Sequence, residues 1–377
     1  MKLLTVIGAR PQIIKAAAIS RAARGLYADR LEEKILHTGQ HYDGNMSQVF
    51  FDELGIPQPN YNLGVGSGRH GEQTAKMIAG IEETLLAEHF DGVILYGDTN
   101  STLAGAVAAS KLHVPVYHIE AGLRSFNMAM PEEVNRIVCD QLSTICFAPT
   151  QTAVENLRHE GFMDSPARFA DGSQRQVCNC GDVMYDNSIY FASMAKERCS
   201  VLQDLGLETG GYVLATVHRD NNTDNPDRLH SIMQALADVG MQDNIPIVLP
   251  LHPRTKKILD NSQFPILNSQ FLHIVPPASF LEINLLEQNA KIVMTDSGGV
   301  QKEAFFFERP CVILRPETEW VEIVEHGAGI IADADYDRIV SAYRQLADHP
   351  VRFPHLFGDG HAAEKILQTI LTHANSH

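Results

Sequence analysis

Short runs of consecutive hydrophobic residues alternate along the chain with longer segments whose hydrophobic positions recur at helical spacing. Such runs are typical of parallel strands that are buried on both faces, with the intervening helices as their cover. In the first half of the chain the runs are Leu3–Ile7, Lys34–His37, Gly92–Tyr96, Val116–Ile119 and Thr144–Ala148. In the second half they are Tyr212–Thr216, Ile247–Leu249, Leu272–Val275, Lys291–Met294, Cys311–Leu314 and Gly329–Ile331. Because the pattern occurs twice, it predicts an α/β protein with two Rossmann-like parallel-sheet domains.

The domain limits follow from where the pattern restarts. A length of 377 residues suggests about two or three domains. We predict an N-terminal domain over residues 1–180 and a C-terminal domain over residues 181–361. The last segment, 362–377, is amphipathic, and we expect it to form a helix that joins the N-terminal domain. Between the strands of the first half, the spacing predicts the helices Pro11–Ala23, Gly71–His89, Thr102–Lys111, Pro131–Leu142 and Thr150–Glu160.

Composition excludes several classes of protein. Hydrophobic residues make up 44% and charged residues 20%, which excludes a wholly disordered, collagen-like or coiled-coil chain. The formal charge of −16 argues against a general nucleic-acid or anionic-membrane binder. No apolar stretch approaches the roughly 18 residues of a membrane span, and Met1–Arg10 is too short for a signal peptide. The six cysteines form no C-x-x-C pair, so we expect reduced thiols in a cytoplasmic protein.

Charged residues follow several of the predicted strands, where ligands bind in open parallel sheets. The first strand leads into Arg10 and, one helical turn later, Lys15. These two could bind an anion beside the helix N-terminus, or simply begin a charged helix. Asp98 lies just after the third strand, where it could take part in catalysis or cap the next helix.

A carboxylate closes the fourth strand, at Glu120. Packing explains it poorly, because an unpaired buried charge is expensive. Glu132 and Glu133 come twelve residues later, at a predicted helix start that favours acidic residues. If Asp98, Glu120 and Glu132 meet at one cleft wall, each raises the pKa of the others, which suits general acid–base catalysis.

Histidines follow two strands of the second half. His218 and Arg219 come after the first of them, and His252 after the next. Histidine titrates near neutrality, and arginine binds phosphate with two parallel hydrogen bonds. A single histidine is more often structural than catalytic, but two at strand ends of one domain favour a functional site.

The strongest local motif is the segment Thr295–Ala304, in which a strand runs through Ser297, Gly298 and Gly299 into a helix. The glycines allow backbone N–H groups to approach a diphosphate at the helix N-terminus, although such a turn can also merely cap the helix. Glu303 lies about one turn into that helix, where it could accept hydrogen bonds from ribose hydroxyls. The chain has no H-E-x-x-H motif, so zinc is unsupported.

Taken together and in this order, these motifs resemble the non-hydrolysing UDP-N-acetylglucosamine 2-epimerase family. The resemblance covers nearly the whole chain and is carried by Gly8–Pro11 with Lys15, Gly97–Thr99, His118–Arg124, Pro131–Arg136, His218–Arg219 and Asp296–Gly299 with Glu303. It implies a GT-B-like fold, with two Rossmann-like domains that face each other across a central cleft holding the nucleotide sugar. It also implies inversion at C2 through elimination of UDP to a glycal and its re-addition, with no cofactor and no metal.

The family pattern also implies individual roles. The expected acid–base groups are Asp98, Glu120, Glu132 and His218. The expected substrate-binding groups are Arg10, Lys15, Arg219, His252, Ser297, Gly298, Gly299, Glu303 and Arg315. The resemblance further implies that the protein is a homodimer and that its substrate is a UDP-sugar. It also implies that the product is a precursor of surface polysaccharide or lipopolysaccharide.

Departures from the common pattern leave the substrate open. Arg315–Glu322, His37–Asp43 and Ser125–Asn127 look more like the branch that acts on UDP-2,3-diacetamido-2,3-dideoxyglucuronate than like the plain UDP-N-acetylglucosamine enzymes. Asp43 departs from the pattern beside Gln40–His41, so activation by substrate at a second site is not predicted. The alternatives are a hydrolysing 2-epimerase that releases free N-acetylmannosamine and UDP, a GT-B glycosyltransferase, and a non-catalytic sugar-nucleotide sensor.

Overall fold

The computed structural model describes residues 1–39, 55–164, 168–170, 172–251, 253–261 and 269–374. The chain divides into two compact units. Unit 1 contains Met1–Asn187 and His355–His377, and unit 2 contains Ser188–Pro354. Each unit is built on a parallel sheet with helices on it, which confirms the predicted α/β class and the two Rossmann-like domains.

Unit 1 holds a seven-stranded sheet in the order β3-β2-β1-β4-β5-β6-β7, and all neighbouring strands are parallel. Its strands are β1 Lys2–Ile7, β2 Glu32–His37, β3 Tyr61–Asn62, β4 Gly92–Tyr96, β5 Val116–Ile119, β6 Ile145–Ala148 and β7 Gln176–Asn179. Its helices are α1 Arg10–Arg24, α2 His70–Ala87, α3 Asn100–Lys111, α4 Pro131–Leu142, α5 Gln151–His159, the first turn of α6 Val183–Arg198, and α15 Ala362–Ala374.

Unit 2 repeats the plan with a six-stranded parallel sheet in the order β10-β9-β8-β11-β12-β13. Its strands are β8 Val213–Thr216, β9 Ile247–Pro250, β10 Leu272–Val275, β11 Ile292–Thr295, β12 Cys311–Ile313 and β13 Gly329–Ile331. Its helices, after the rest of α6, are α7 Val201–Asp204, α8 Asp220–Thr223, α9 Pro226–Asp243, α10 Pro253–Asn261, α11 Phe280–Asn289, α12 Gly298–Phe306, α13 Val321–Glu325 and α14 Tyr336–Asp348.

In each sheet the strand order reverses at one place, between β1 and β4 in unit 1 and between β8 and β11 in unit 2. The crevice outside the carboxyl ends of the strands at such a switch point is the usual ligand site of this architecture. The apolar side chains of β4 and β11 are fully buried, so the central strands form rigid supports for the loops that follow them. The predicted site residues Asp98 and Ser297 follow these two strands.

Two strands were missing from the sequence prediction. β3 is two residues long, and β7 has the sequence Gln-Val-Cys-Asn with no fully buried side chain. Both lie at the edges of the sheet, where one neighbour is absent and the apolar pattern that marks central strands is weak. Helix α3 also begins two residues before the predicted Thr102, because the Thr99 hydroxyl caps it by accepting a bond from the Thr102 N–H at 3.4 Å.

The start of helix α6 belongs to unit 1, seven residues beyond the predicted limit at residue 180. The buried Asp186 carboxylate accepts hydrogen bonds from the N–H groups of Ala362 and Ala363, at 3.0 and 2.8 Å, and so caps α15. Asn187 donates to the Ile14 carbonyl in α1 at 2.6 Å. Helix α15 also packs on α1, so the C-terminal segment lies in unit 1.

Two further observations concern the cysteines and the hydrophobicity of the helices. All six cysteines are free thiols. Within the described ranges, no helix has both the length and the hydrophobicity that a membrane crossing needs.

Candidate active site

An ion pair lies at the carboxyl end of the sheet in unit 1. The Lys15 ammonium, on the first turns of α1, contacts the Glu120 carboxylate, which directly follows β5. Both side chains are largely buried, at 14% and 9% exposure. Glu120 has a φ of +70°, in the left-handed region that costs a non-glycine residue about 1–2 kcal/mol. A charged residue held in an unfavourable backbone conformation is a frequent mark of a functional site.

Gly97 leaves room for this ion pair. It begins the turn after β4 with a φ of +60°, and a Cβ at this position would lie 3.1 Å from Glu120 Oε2 and 3.2 Å from Lys15 Nζ. A glycine is therefore required both by the backbone conformation and by the space that the two charged groups occupy.

Asp98 has a cation of its own. Its carboxylate contacts the Arg136 guanidinium, and Asn135 donates to its backbone carbonyl at 2.9 Å. Arg136 also contacts Glu133, whose carboxylate accepts the Phe126 N–H at 2.8 Å. Burial alone would raise the pKa of Glu133, but these donors lower it.

The three carboxylates predicted to crowd together have different surroundings. Glu120 faces Lys15 and Asp98 faces Arg136, so each has a cation as its contact. Glu132 is exposed in the first turn of α4, one helical turn before Arg136. Arg10 is exposed at the start of α1.

In unit 2 a fully buried aspartate, Asp296, organises the strand ends. Its carboxylate accepts hydrogen bonds from the backbone N–H groups of His218 and Arg219, and from the Asn222 amide at 3.0 Å. The His218 ring also lies 3.1 Å from it, with just over half of that side chain exposed. Burial raises the pKa of Asp296, but the contacts with His218 and Asn222 outweigh this and lower it. The loops after β8 and β11 are thus joined, and His218 is oriented with its ring open to solvent.

The Ser-Gly-Gly turn begins helix α12 as predicted. The Ser297 hydroxyl caps the helix by accepting the Val300 N–H at 3.4 Å. The Trp320 indole donates to the Gly298 carbonyl at 3.0 Å, and the Lys302 ammonium lies 4.0 Å from the centre of the Trp320 ring. The turn is therefore held from outside by a side chain of the segment after β12.

Arg315 forms a bidentate ion pair with Glu319, with N–O distances of 2.9 and 3.2 Å. A Cβ on Gly298 would lie 3.5 Å from both groups, so the pair sits directly beside the start of α12. Burial raises the pKa of Glu319, but Arg315, with a smaller contribution from Arg219, lowers it. Glu303 is buried one turn into α12.

Two points of the sequence analysis lie outside the described residues: the substrate-binding role of His252, and the stretch Gln40–His41 at which activation by substrate is not predicted. Among the residues that the structure does describe, no cluster of three or more His, Cys, Asp or Glu side chains could hold a metal ion.

Sequence reasoning named no role for several residues that hold the site together. These are His118, Arg136, Asp140, Asn222, Asp296 and Trp320. Asp296 carried the one available signal, because it directly follows a strand, as Glu120 does. The others act through partners that are distant in sequence, and no local pattern marks such partners.

Comparison with known protein sequences places the chain among sugar-nucleotide epimerases. A family model described as UDP-N-acetylglucosamine 2-epimerase matches residues 25–371. The UDP-2,3-diacetamido-2,3-dideoxy-D-glucuronate 2-epimerase of Pseudomonas aeruginosa is 47% identical, over 98% of this chain and 99% of that protein. The UDP-N-acetylglucosamine 2-epimerase of Methanocaldococcus jannaschii is 39% identical, over 99% of each chain.

Solved structures agree in fold. The M. jannaschii UDP-GlcNAc 2-epimerase in complex with UDP-GlcNAc and UDP superposes with a TM-score of 0.83 at 39% identity, over 99% of this chain and 100% of that one. The Neisseria meningitidis enzyme bound to UDP-GlcNAc gives a TM-score of 0.82 at 27% identity, with 99% and 100% coverage. These neighbours share the GT-B-like fold predicted from the sequence. The chain therefore belongs to the UDP-N-acetylglucosamine 2-epimerase family.

Proposed function

We propose that the protein inverts the configuration at C2 of a UDP-2-acetamido sugar. The C1–O bond to the diphosphate breaks, the C2 proton is removed, and UDP and a glycal form. UDP then adds back to C1 while a proton returns to C2 on the opposite face. The observation that carries this proposal is the Lys15–Glu120 pair, a carboxylate held in a strained backbone against a cation at the carboxyl end of the sheet.

The chemistry of the sugar explains why removal of the C2 proton must be coupled to cleavage of the C1–O bond. A C2 proton beside an acetamido group is not acidic, but loss of the anomeric diphosphate gives C1 cationic character and acidifies C2. We assign the acid–base steps to Asp98, Glu120, Glu132 and His218. A carboxylate at the C1–C2 edge stabilises the developing cation and accepts the proton.

The remaining groups hold the substrate. We assign the diphosphate to cationic side chains and the turn before α12, and the ribose to Glu303, because backbone N–H groups at a helix N-terminus favour anions. The full set assigned to substrate binding is Arg10, Lys15, Arg219, His252, Ser297, Gly298, Gly299, Glu303 and Arg315. The structure places Arg315 beside Gly298 and tethers Gly298 through Trp320, which supports this assignment.

For the substrate, we propose UDP-2,3-diacetamido-2,3-dideoxy-D-glucuronate as the first candidate and UDP-N-acetylglucosamine as the second. The 47% identity to the P. aeruginosa enzyme, over nearly the whole of both chains, supports this order. A cytoplasmic homodimer that supplies a surface polysaccharide precursor remains a prediction from the family pattern.

Proton NMR in D₂O, with both nucleotide sugars in parallel, tests the proposal. Deuterium at C2 together with a C2-inverted product identifies the substrate. Free sugar and UDP as the only products identify a hydrolysing enzyme instead. Absence of C2 exchange with either compound refutes the epimerase assignment.

A further inference from the structure

A buried pair, His118 and Asp140, connects the two loops that carry Asp98 and Glu120. His118 is the third residue of β5 and Asp140 lies on α4, and neither side chain has any exposed surface. His118 Nδ1 lies 2.6 Å from Asp140 Oδ1, and His118 Nε2 lies 2.8 Å from the Gly97 carbonyl oxygen. The imidazole therefore bridges from α4 to the turn that precedes Asp98.

Hydrogen-bond chemistry defines the charge of this histidine. The Gly97 carbonyl can only accept, so Nε2 must donate to it. The second Asp140 oxygen already accepts the Gly122 N–H at 3.1 Å and lies 2.8 Å from the Arg124 guanidinium, as an ionised carboxylate would. An ionised carboxylate also only accepts, so Nδ1 donates as well. Both ring nitrogens carry hydrogen, and His118 is an imidazolium.

The surroundings balance this buried charge. Two cations, His118 and Arg124, lie with two carboxylates, Asp140 and Glu160, in one network. Burial opposes the imidazolium, but neighbouring side chains, Asp140 among them, raise the pKa of His118 well above its usual value. Burial would raise the pKa of Asp140, but the contacts with His118 and Arg124 outweigh it, so the pKa of Asp140 is lowered. Cys139 is the other titratable group beside the ring.

The same aspartate holds the backbone that follows Glu120. Gly122 donates to Asp140, its carbonyl accepts from Asn156 at 2.9 Å, and its φ is +79°. A Cβ on Gly122 would lie 2.4 Å from the Ala153 carbonyl oxygen, so α5 packs tightly against this turn. These contacts offset the unfavourable φ of Glu120, two residues earlier in the chain.

We propose that Asp140 and His118 are positioning residues that set the relative placement of the Asp98 and Glu120 carboxylates. Asp140 accepts a hydrogen bond from Gly122 in the turn after β5. Through His118 it is also connected to Gly97 in the turn after β4. The inference rests on the proposed function, in which both carboxylates act on the same sugar. A displacement near 1 Å can reduce the rate of a chemical step about a hundredfold.

The kinetic test is Asp140→Asn, which keeps the shape but removes the charge that sustains the imidazolium. We expect kcat for C2 exchange to fall about ten- to a hundredfold. KM and the Kd for UDP should stay within about twofold, since no ligand-binding group is altered. Asp186→Asn is the matched control, because it removes a buried carboxylate of unit 1 that also accepts two backbone N–H groups but lies at α15. Its kcat should equal that of the wild type.

A spectroscopic test measures the charge of His118 in the wild-type protein, independently of turnover. In wild-type protein labelled with ¹⁵N-histidine, one ring should remain doubly protonated at pH 8, where an ordinary histidine, with a pKa of about 6.5, is neutral. Its absence from the spectrum of His118→Asn assigns it.

Three results would decide against the proposal. A neutral His118 at pH 8, an unchanged kcat in Asp140→Asn, or an equal loss of kcat in Asp186→Asn each overturn it. Failure of the proposed function is recognised separately, since it appears as absence of C2 exchange in the wild type, whereas the histidine spectrum is recorded without turnover.

Discussion

Replacement of Glu120 by glutamine tests the central assignment of the site. The change keeps the size of the side chain and removes the charge that faces Lys15. If Glu120 moves the C2 proton, the loss should be typical of a general acid–base group, about 10²–10⁴-fold in kcat. That range corresponds to about 3–5 kcal/mol on the barrier, at 1.36 kcal/mol for each factor of ten.

The structure also predicts what happens to stability. Two opposite charges about 4 Å apart attract by about 4 kcal/mol at an effective dielectric constant near 20, and the desolvation of both groups offsets much of this. Lys15 and Glu120 are only 14% and 9% exposed, so the lysine left behind stays largely out of water. We therefore expect Glu120→Gln to lower the free energy of unfolding by about 1–3 kcal/mol. The protein should still fold, and urea denaturation measures the difference.

Binding and turnover together separate the possible roles of Glu120. UDP affinity, measured by calorimetry, should be unchanged or slightly higher, because the variant leaves the unit 2 residues intact and frees the Lys15 cation. Glu72→Gln is a suitable control, since it removes a carboxylate from an exposed ion pair on α2. Turnover near the wild-type rate refutes the acid–base role. A parallel loss of UDP affinity and turnover would instead make Glu120 a binding group.

Four further predictions concern the surroundings of the site. Gly97→Ala forces a Cβ to within 3.1 Å of Glu120 Oε2 at a φ of +60°, so it should reduce C2 exchange at least tenfold and lower the free energy of unfolding by about 1 kcal/mol in urea titrations. Trp320→Phe loses the indole bond to the Gly298 carbonyl and should weaken UDP binding up to about fivefold in calorimetry, with kcat unchanged. Because Trp320 is the single tryptophan, its fluorescence should also change when UDP binds to the wild type. The pKa of Asp296 is lowered on folding, so its ionised carboxylate contributes fully to stability above the unfolded pKa near 3.9. This contribution is lost as the pH falls. Between about pH 5 and 3, the Tm of Asp296→Asn should therefore fall less steeply than the Tm of the wild type.

The hydrophobic pattern predicted the central strands to within one or two residues, because strands buried on both faces are predominantly apolar. The rule that ligands bind at the carboxyl ends of such strands then pointed to Asp98, Glu120 and Ser297. The hydrophobic pattern did not predict the edge strands β3 and β7, since each has only one neighbouring strand and tolerates polar residues.

Partners across the fold could not be predicted in the same way. His118 and Asp140 are 22 residues apart, and they meet only because α4 packs beside β5. The pairing of Asp98 with Arg136 likewise depends on the direction in which α4 leaves the loop that Glu133 holds. A local pattern reports which residues end a strand, whereas packing decides which charge each of them meets.

Charge pairing explains how an acidic protein can prepare sites for an anion. The net charge is −16, and three cations near the strand ends contact carboxylates of the same unit. They are Lys15 with Glu120, Arg136 with Asp98, and Arg315 with Glu319. Each carboxylate fixes a flexible cation in place before a ligand arrives, which reduces the entropy lost on binding. If Arg315 binds the diphosphate as proposed, the diphosphate competes with Glu319 for the same guanidinium, and this competition weakens its binding. The arrangement favours specific geometry over maximal affinity, which suits the proposed release of UDP from C1 and its re-addition in every cycle.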